Sequence, residues 1–145
     1  MKKKFIAYLE RIGMTIPLIN RIDEIYHFYH EILSEEIIDI QVTDFIKDDG
    51  SREYENCWFF SSTYAMEAKL FISQEDFDMS PMRKRIDYWS IGKQNYDFKK
   101  ATDKSRLVVH FSLIGETDGD LKASKENCDN LKEIFIKYIL PNTII

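Results

Sequence analysis

The sequence predicts an α+β domain: an N-terminal helical pair, then a six- or seven-stranded antiparallel sheet, then one closing helix. Three observations lead there. Apolar residues recur at helical spacing up to about residue 34, and the period switches to two from Ile38 onward. From Ile86 to Ile139 the chain runs through I-D-Y-W-S-I, S-R-L-V-V-H-F-S-L-I, a G-E-T-D-G-D turn and L-K-A-S, then an amphipathic run halted by Pro141. The length of 145 residues, 44% apolar and 14% aromatic, suffices for one packed core. No repeat, low-complexity tract or linker divides it. Residues 1–145 are therefore read as a single domain, with 1–34 a helical extension and 37–140 the sheet and its closing helix.

Phe5, Ile6, Leu9 and Ile12 share one helix face, and Gly13 is a natural stop. Thr15 is placed to cap a second helix over about 16–34, with Pro17 in its first turn where no amide donor is needed. Leu18, Ile19, Ile22, Ile25, Tyr26, Tyr29, Ile32 and Leu33 form its apolar stripe. Ile38, Ile40 and Val42 then alternate with polar residues, and Asp48-Asp49-Gly50-Ser51 predicts a hairpin turn. Tyr54–Ser62 is apolar on both faces, with Trp58 and Phe60 on one and Cys57 and Phe59 on the other. Tyr64–Ile72 alternates, and Gln74–Met82, polar and containing Pro81, reads as a connection. Strands are expected at Ile86–Ile91, Tyr96–Ala101 and Leu107–Ile114, with a short one at Leu121–Ala123. Ser124 is a candidate N-cap for a last helix whose inner face holds Cys128, Leu131, Ile134, Phe135 and Tyr138.

Charge is uneven about a net of −5. Eight acids and two bases fall between Glu35 and Glu55, whereas eight bases and three acids fall between Arg83 and Arg106. The bases Arg83, Lys84, Arg85, Lys99, Lys100, Lys104 and Arg106 are the candidate ligand- or partner-binding residues, against a solvated surface as the plainer reading. The overall acidity argues against a nucleic-acid partner. Cys57 and Cys128 lie in apolar segments and are expected to be reduced thiols. The basic N-terminus meets charges before any signal-length apolar run, which predicts a cytoplasmic protein.

The order of parts resembles the pleckstrin-homology-like barrel superfamily in its bacterial and GRAM-type versions. The carriers are Ile86-Asp-Tyr88-Trp-Ser-Ile91, Ser105-Arg-Leu-Val-Val-His-Phe111, and Gly119-Asp-Leu-Lys-Ala123 leading into Asn127–Tyr138. The resemblance covers about residues 37–140 and implies a barrel plugged by its C-terminal helix. It also implies a non-enzymatic role in binding a phosphoinositide, a peptide or a partner domain. Lipid-binding members carry a basic motif around the first hairpin. Here that hairpin is Lys47-Asp48-Asp49-Gly50-Ser51-Arg52-Glu53, acidic overall, so membrane lipid is not the expected ligand and remains an alternative.

Motifs for chemistry are sparse. Glu67-Ala68-Lys69 matches the E-x-K of metal-dependent PD-(D/E)xK-like nucleases, with Asp44, Asp49 or Glu53 as the earlier acid, or Glu24 or Glu31 from the helix. Against it, no Pro-Asp pair precedes the motif and no helix is expected after it. His27 and His30 fit no zinc motif, and His110 has no nucleophile beside it in sequence. The expectation is an intracellular interaction module that binds a protein partner, without a cofactor, in an accessory or inhibitory (immunity-type) role. A homodimer contact through Ile136 and Leu140 is the further expectation. The nuclease and the anionic-lipid module stand as alternatives.

Overall fold

In the computed structural model, residues 1–70, 77–81, 85–94, 105–115 and 118–144 are described, with only the backbone of 77–81. Helix α1 (Lys3–Arg11) and helix α2 (Ile16–Leu33) are followed by seven strands. These are β1 (Asp39–Ile46), β2 (Arg52–Phe60), β3 (Tyr64–Lys69), β4 (Phe77–Pro81), β5 (Ile86–Gln94), β6 (Arg106–Leu113) and β7 (Gly119–Ser124). Helix α3 (Asn127–Ile134) closes the chain and widens into a π-helical segment over Phe135–Ile139. Gly13 separates the first two helices at φ 83°, a conformation that costs a side chain dearly.

The strands form two antiparallel sheets, a four-stranded one in the order β1-β2-β3-β4 and a three-stranded one in the order β5-β6-β7. Both are meanders, as short connections between antiparallel neighbours require. The alternation predicted for β2 divides its side chains between two cores. Cys57 and Phe59 join Met66, Ile40 and Val42 under the helices, together with Leu9, Ile22, Ile25 and Tyr29. Trp58 and Phe60 face the other way, toward Val109, Phe111, Leu121, Leu131 and Ile134. Strands β1 to β3 therefore carry the middle layer, with β2 and β3 sending side chains into both cores. The N-terminal helices pack on it, with the Tyr29 and Phe59 rings 5.2 Å apart. Phe111 lies across Gly119 so closely that a Cβ there would stand 2.4 Å from the ring, which fixes glycine at the start of β7.

Three expectations need correction. The sheets do not close into a ladder-joined barrel: β1 and β7 lie side by side, but side chains rather than main-chain pairs join them. The segment read as a polar connection contains β4, whose Asp78 and Ser80 hide it in the sequence. Pro81 is tolerated because it ends an edge strand that needs no further donor. Ser124 ends β7, and Glu126 takes the N-cap position of α3. The strand expected at Tyr96–Ala101 lies outside the described residues.

Candidate interaction site

The sheets present different edges. At the β1 edge a bulge between Val42 and Asp44 breaks the register with β2. Side chains take up the main-chain groups there. The Val42 amide donates to Tyr8 Oη at 3.0 Å, and its carbonyl accepts from Asn127 Nδ2 at 2.8 Å and Gln41 Nε2 at 2.9 Å. Asn127 Nδ2 also donates to Asp44 Oδ1 at 2.8 Å, while Asn127 Oδ1 accepts from Tyr8 Oη at 2.6 Å. Asn130 reaches the Ile40 carbonyl at 3.0 Å, and Tyr138 Oη donates to Asp39 at 2.6 Å. The β7 strand meets this edge through the Ser124 amide, which donates to Asp44 Oδ1 at 2.9 Å where a ladder would supply a carbonyl.

Asp44 is wholly buried and is balanced by Arg52, whose Nε lies 3.0 Å from Asp44 Oδ2. Arg52 also donates to Glu126, to the Ile12 carbonyl at 2.6 Å and to the Ser124 carbonyl at 3.3 Å. Burial raises the Asp44 pKa, opposed by the Asn127 and Ser124 donors and by the Arg52 charge. Glu126 is shifted downward, chiefly by its bond to Arg52. This clasp draws α1, β1, β2, β7 and α3 together, with the Asp44 Oδ2–Arg52 Nε contact an ion pair rather than an aligned hydrogen bond. It is built as structure, with no reactive group presented to solvent.

At the β5 edge the side chains stand out into solvent. Ile86 is buried, and its amide and carbonyl are bonded to Asn142 and Ile144 of the tail in a single parallel bridge with Thr143. From Asp87 to Gln94 every residue except the half-buried Trp89 is exposed. Trp89 leans on Phe135, the ring centroids 5.0 Å apart, which sets β5 beside the π-helical segment. Of the nine large apolar residues exposed among those described, six belong to this end of the molecule: Tyr88, Ile91, Ile114, Ile136, Leu140 and Ile144. That concentration separates a patch from the scattered apolar residues of an ordinary surface. The expected exposure of Ile136 and Leu140 is observed, at 62% and 40%. Exposure along β5 was not legible in the sequence, where I-D-Y-W-S-I reads as an ordinary half-buried strand.

A third feature is an open cleft of about 710 Å³ beside the β1–β2 hairpin, lined by Phe45, Ile46, Asp48, Asp49, Glu55 and Arg106 among others. Arg106 is almost fully buried and ion-pairs with Glu55 at 3.5 Å, so it is no exposed cation. Arg85 donates to the Ile114 carbonyl at 2.8 Å. The remaining candidate bases, Arg83, Lys84, Lys99, Lys100 and Lys104, lie outside the described residues.

The E-x-K residues and Asp44 do not converge. Glu67 is level with Trp58 of β2, which is level with Gln41 of β1. Asp44 is thus two strands across and three residues along from Glu67, about 10 Å in each direction. Among the described residues no group of three His, Cys, Asp or Glu side chains is arranged to hold a metal ion. His27 is exposed, with its Nε2 3.3 Å from Asp23 Oδ1. His110 lies on the outer face of the second sheet between Asp120 (2.6 Å) and Asp118 (3.2 Å), and its pKa is raised, first by the hydrogen bond to Asp120. Cys57 is buried, Cys128 half-buried, and both are free thiols. Desolvation pushes the Cys57 thiol far up, out of the range of a nucleophile. No described helix is long and apolar enough to cross a membrane.

No protein-family model matches the chain, and no curated protein or solved structure matches it either.

Proposed function

We propose that this chain is a non-enzymatic interaction module of pleckstrin-homology-like build, which binds a protein partner by main-chain pairing along β5. The exposed edge from Asp87 to Gln94, flanked by the apolar side chains of the closing helix, is the observation that carries the reading. An extended segment added there gains ladder hydrogen bonds and covers Tyr88 and Ile91. The family resemblance draws support from the order of four strands, three strands and a C-terminal helix. An accessory or inhibitory role suits a module that acts by occupying a partner's site.

Anionic lipid is the weaker reading. A phosphate in the hairpin cleft meets Asp48, Asp49 and Glu55, and the cleft's two cations are already engaged, Lys47 by Glu53 and Arg106 by Glu55. The nuclease reading lacks the converging acids it needs.

A photo-crosslinking residue at Ser90, introduced in the native cell, tests the proposal. A protein adduct is expected at Ser90 and not at the exposed Glu24 of α2. Equal labelling at both positions, or magnesium-dependent cleavage of DNA or RNA that Glu67→Ala abolishes, sinks the interaction reading.

A further inference from the structure

Edge pairing on β5 raises the question of which strand the edge fits, and the residues along it answer for themselves. We infer that the partner is a second copy of this chain, paired β5 to β5 about a two-fold axis at Ser90; the inference rests on the docking reading given above.

The tail occupies Ile86, so the available edge begins at Asp87. An antiparallel pairing of two such edges centred on Ser90 sets Tyr88 opposite Gly92, Trp89 opposite Ile91, and Ser90 opposite itself, and brings Asp87, at the bulge between Ile86 and Tyr88, beside Lys93. Each pairing is favourable. Asp87 and Lys93 carry opposite charge, and the pair occurs twice by symmetry. Gly92 has open space where a side chain would stand, with nothing within 4 Å of its Cβ position, so the Tyr88 ring of the other copy has room to lie over it. Trp89 and Ile91 make an aromatic and β-branched pair on the face toward Phe135.

Alternative registers do worse. Directly opposed residues in an antiparallel pair must bond alike, so a self-paired strand slips in steps of two. One slip puts Asp87 opposite Ile91 and Trp89 opposite itself. The other leaves Asp87 opposite no residue of β5 and sets Lys93 against Trp89. A lysine on an edge ordinarily repels a neighbouring strand. In the Ser90 register Lys93 instead meets its counter-ion. The union makes a six-stranded sheet across two molecules. A strand pair alone covers too little surface for a stable dimer, and the exposed Ile136, next in sequence to the Phe135 that Trp89 leans on, and Leu140 offer further apolar surface.

Sedimentation equilibrium of the purified full chain tests this, with circular dichroism verifying that each variant folds. The wild type is expected to dimerise reversibly. Asp87→Lys and Lys93→Asp are each expected to weaken the dimer about tenfold, and the double variant to restore it. Ser90→Cys is expected to form a disulfide-linked dimer under mild oxidation, since opposed residues lie within bridging distance, whereas the wild type treated alike does not. A dimer indifferent to the charge exchanges, with Ser90→Cys uncrosslinked, overturns the inference. A monomer at every concentration overturns it too. If the Ser90 crosslinker still captures a different protein in that case, β5 docking stands and only self-pairing fails. If it captures nothing, both fail.

Discussion

The β1 and β5 strands are both outermost strands of antiparallel sheets, and the chain treats them in opposite ways. Along β1, Tyr8, Asn127 and Asn130 supply the partners a neighbouring strand would give, and Asp44 receives the amide of Ser124. Along β5, among the described residues, the tail binds Ile86, and from Asp87 to Gln94 all but the half-buried Trp89 are exposed. A protein protected against edge association at one strand has the means to protect the other, so the exposed strand is better explained by use than by neglect. The contrast assigns roles: the β1 seam fixes the layers, and β5 is the surface left for a partner.

Breaking the seam is expected to have the largest effect. Arg52→Ala leaves the Asp44 carboxylate buried without its counter-charge, and is expected to cost about 4 kcal/mol in urea unfolding. The loss should depend on pH in a definite sense. A carboxyl whose folded pKa is raised holds its proton more tightly folded than unfolded, so its folded state gains as pH falls from that pKa toward the ordinary value near 3.8. Without the Arg52 charge, which lowers it, that pKa rises further, so the variant gains more than the wild type and the gap between them should narrow on acidification. A gap that widens contradicts a buried, charged Asp44. Next is Asn127→Ala, which leaves the Val42 carbonyl with Gln41 as its remaining side-chain donor and removes bonds to Tyr8, Gln41 and Asp44. About 3 kcal/mol is expected, and a loss below about 1 kcal/mol means that water replaces the amide and the seam is wetter than its burial suggests.

How much of this contrast is legible in the chain depends on the range of the interactions. Local periodicity marks α2, the two-faced β2 and the buried face of β6, because burial at successive turns or alternate residues leaves a local record. The seam leaves none. Asn127 looks like a polar residue near a helix start, and its partners Tyr8, Gln41 and Asp44 are 119, 86 and 83 residues away. Asp44 accordingly suggests a metal acid in sequence, while in the fold it is half of a structural ion pair. The β4 strand is missed for a related reason, since an edge strand needs little apolar content to pair. Exposure of β5 is equally invisible, because I-D-Y-W-S-I-G-K-Q is composed as any strand would be. Its self-complementarity has meaning only once the strand is known to be an edge.

A smaller effect separates the outer face of the second sheet from both edges. His110 has a raised pKa, so the stability it contributes is complete below its ordinary value near 6.5 and is lost as pH rises through the folded value. Exposed pairs of this kind are screened, so the change should stay below about 1 kcal/mol. Asp120→Asn, which removes the 2.6 Å partner, should flatten stability across that interval, as read from urea midpoints at a series of pH values. An unchanged profile assigns the titration to another group.

The smallest expected change in stability is the one that sharpens the comparison most. Ile91 is level with the buried Val109 of β6, yet is itself 42% exposed. A lysine there can carry its charge into solvent, so Ile91→Lys should shift the unfolding free energy by no more than about 0.5 kcal/mol. The same change removes the aliphatic contact with Trp89 of a paired copy and makes association desolvate an ammonium, so association should fall while folding is untouched. A residue that matters to assembly and not to stability is what a docking edge predicts. If Ile91→Lys instead costs about 2 kcal/mol or more, the side chain belongs to the core, and β5 is a structural edge like β1 rather than its opposite.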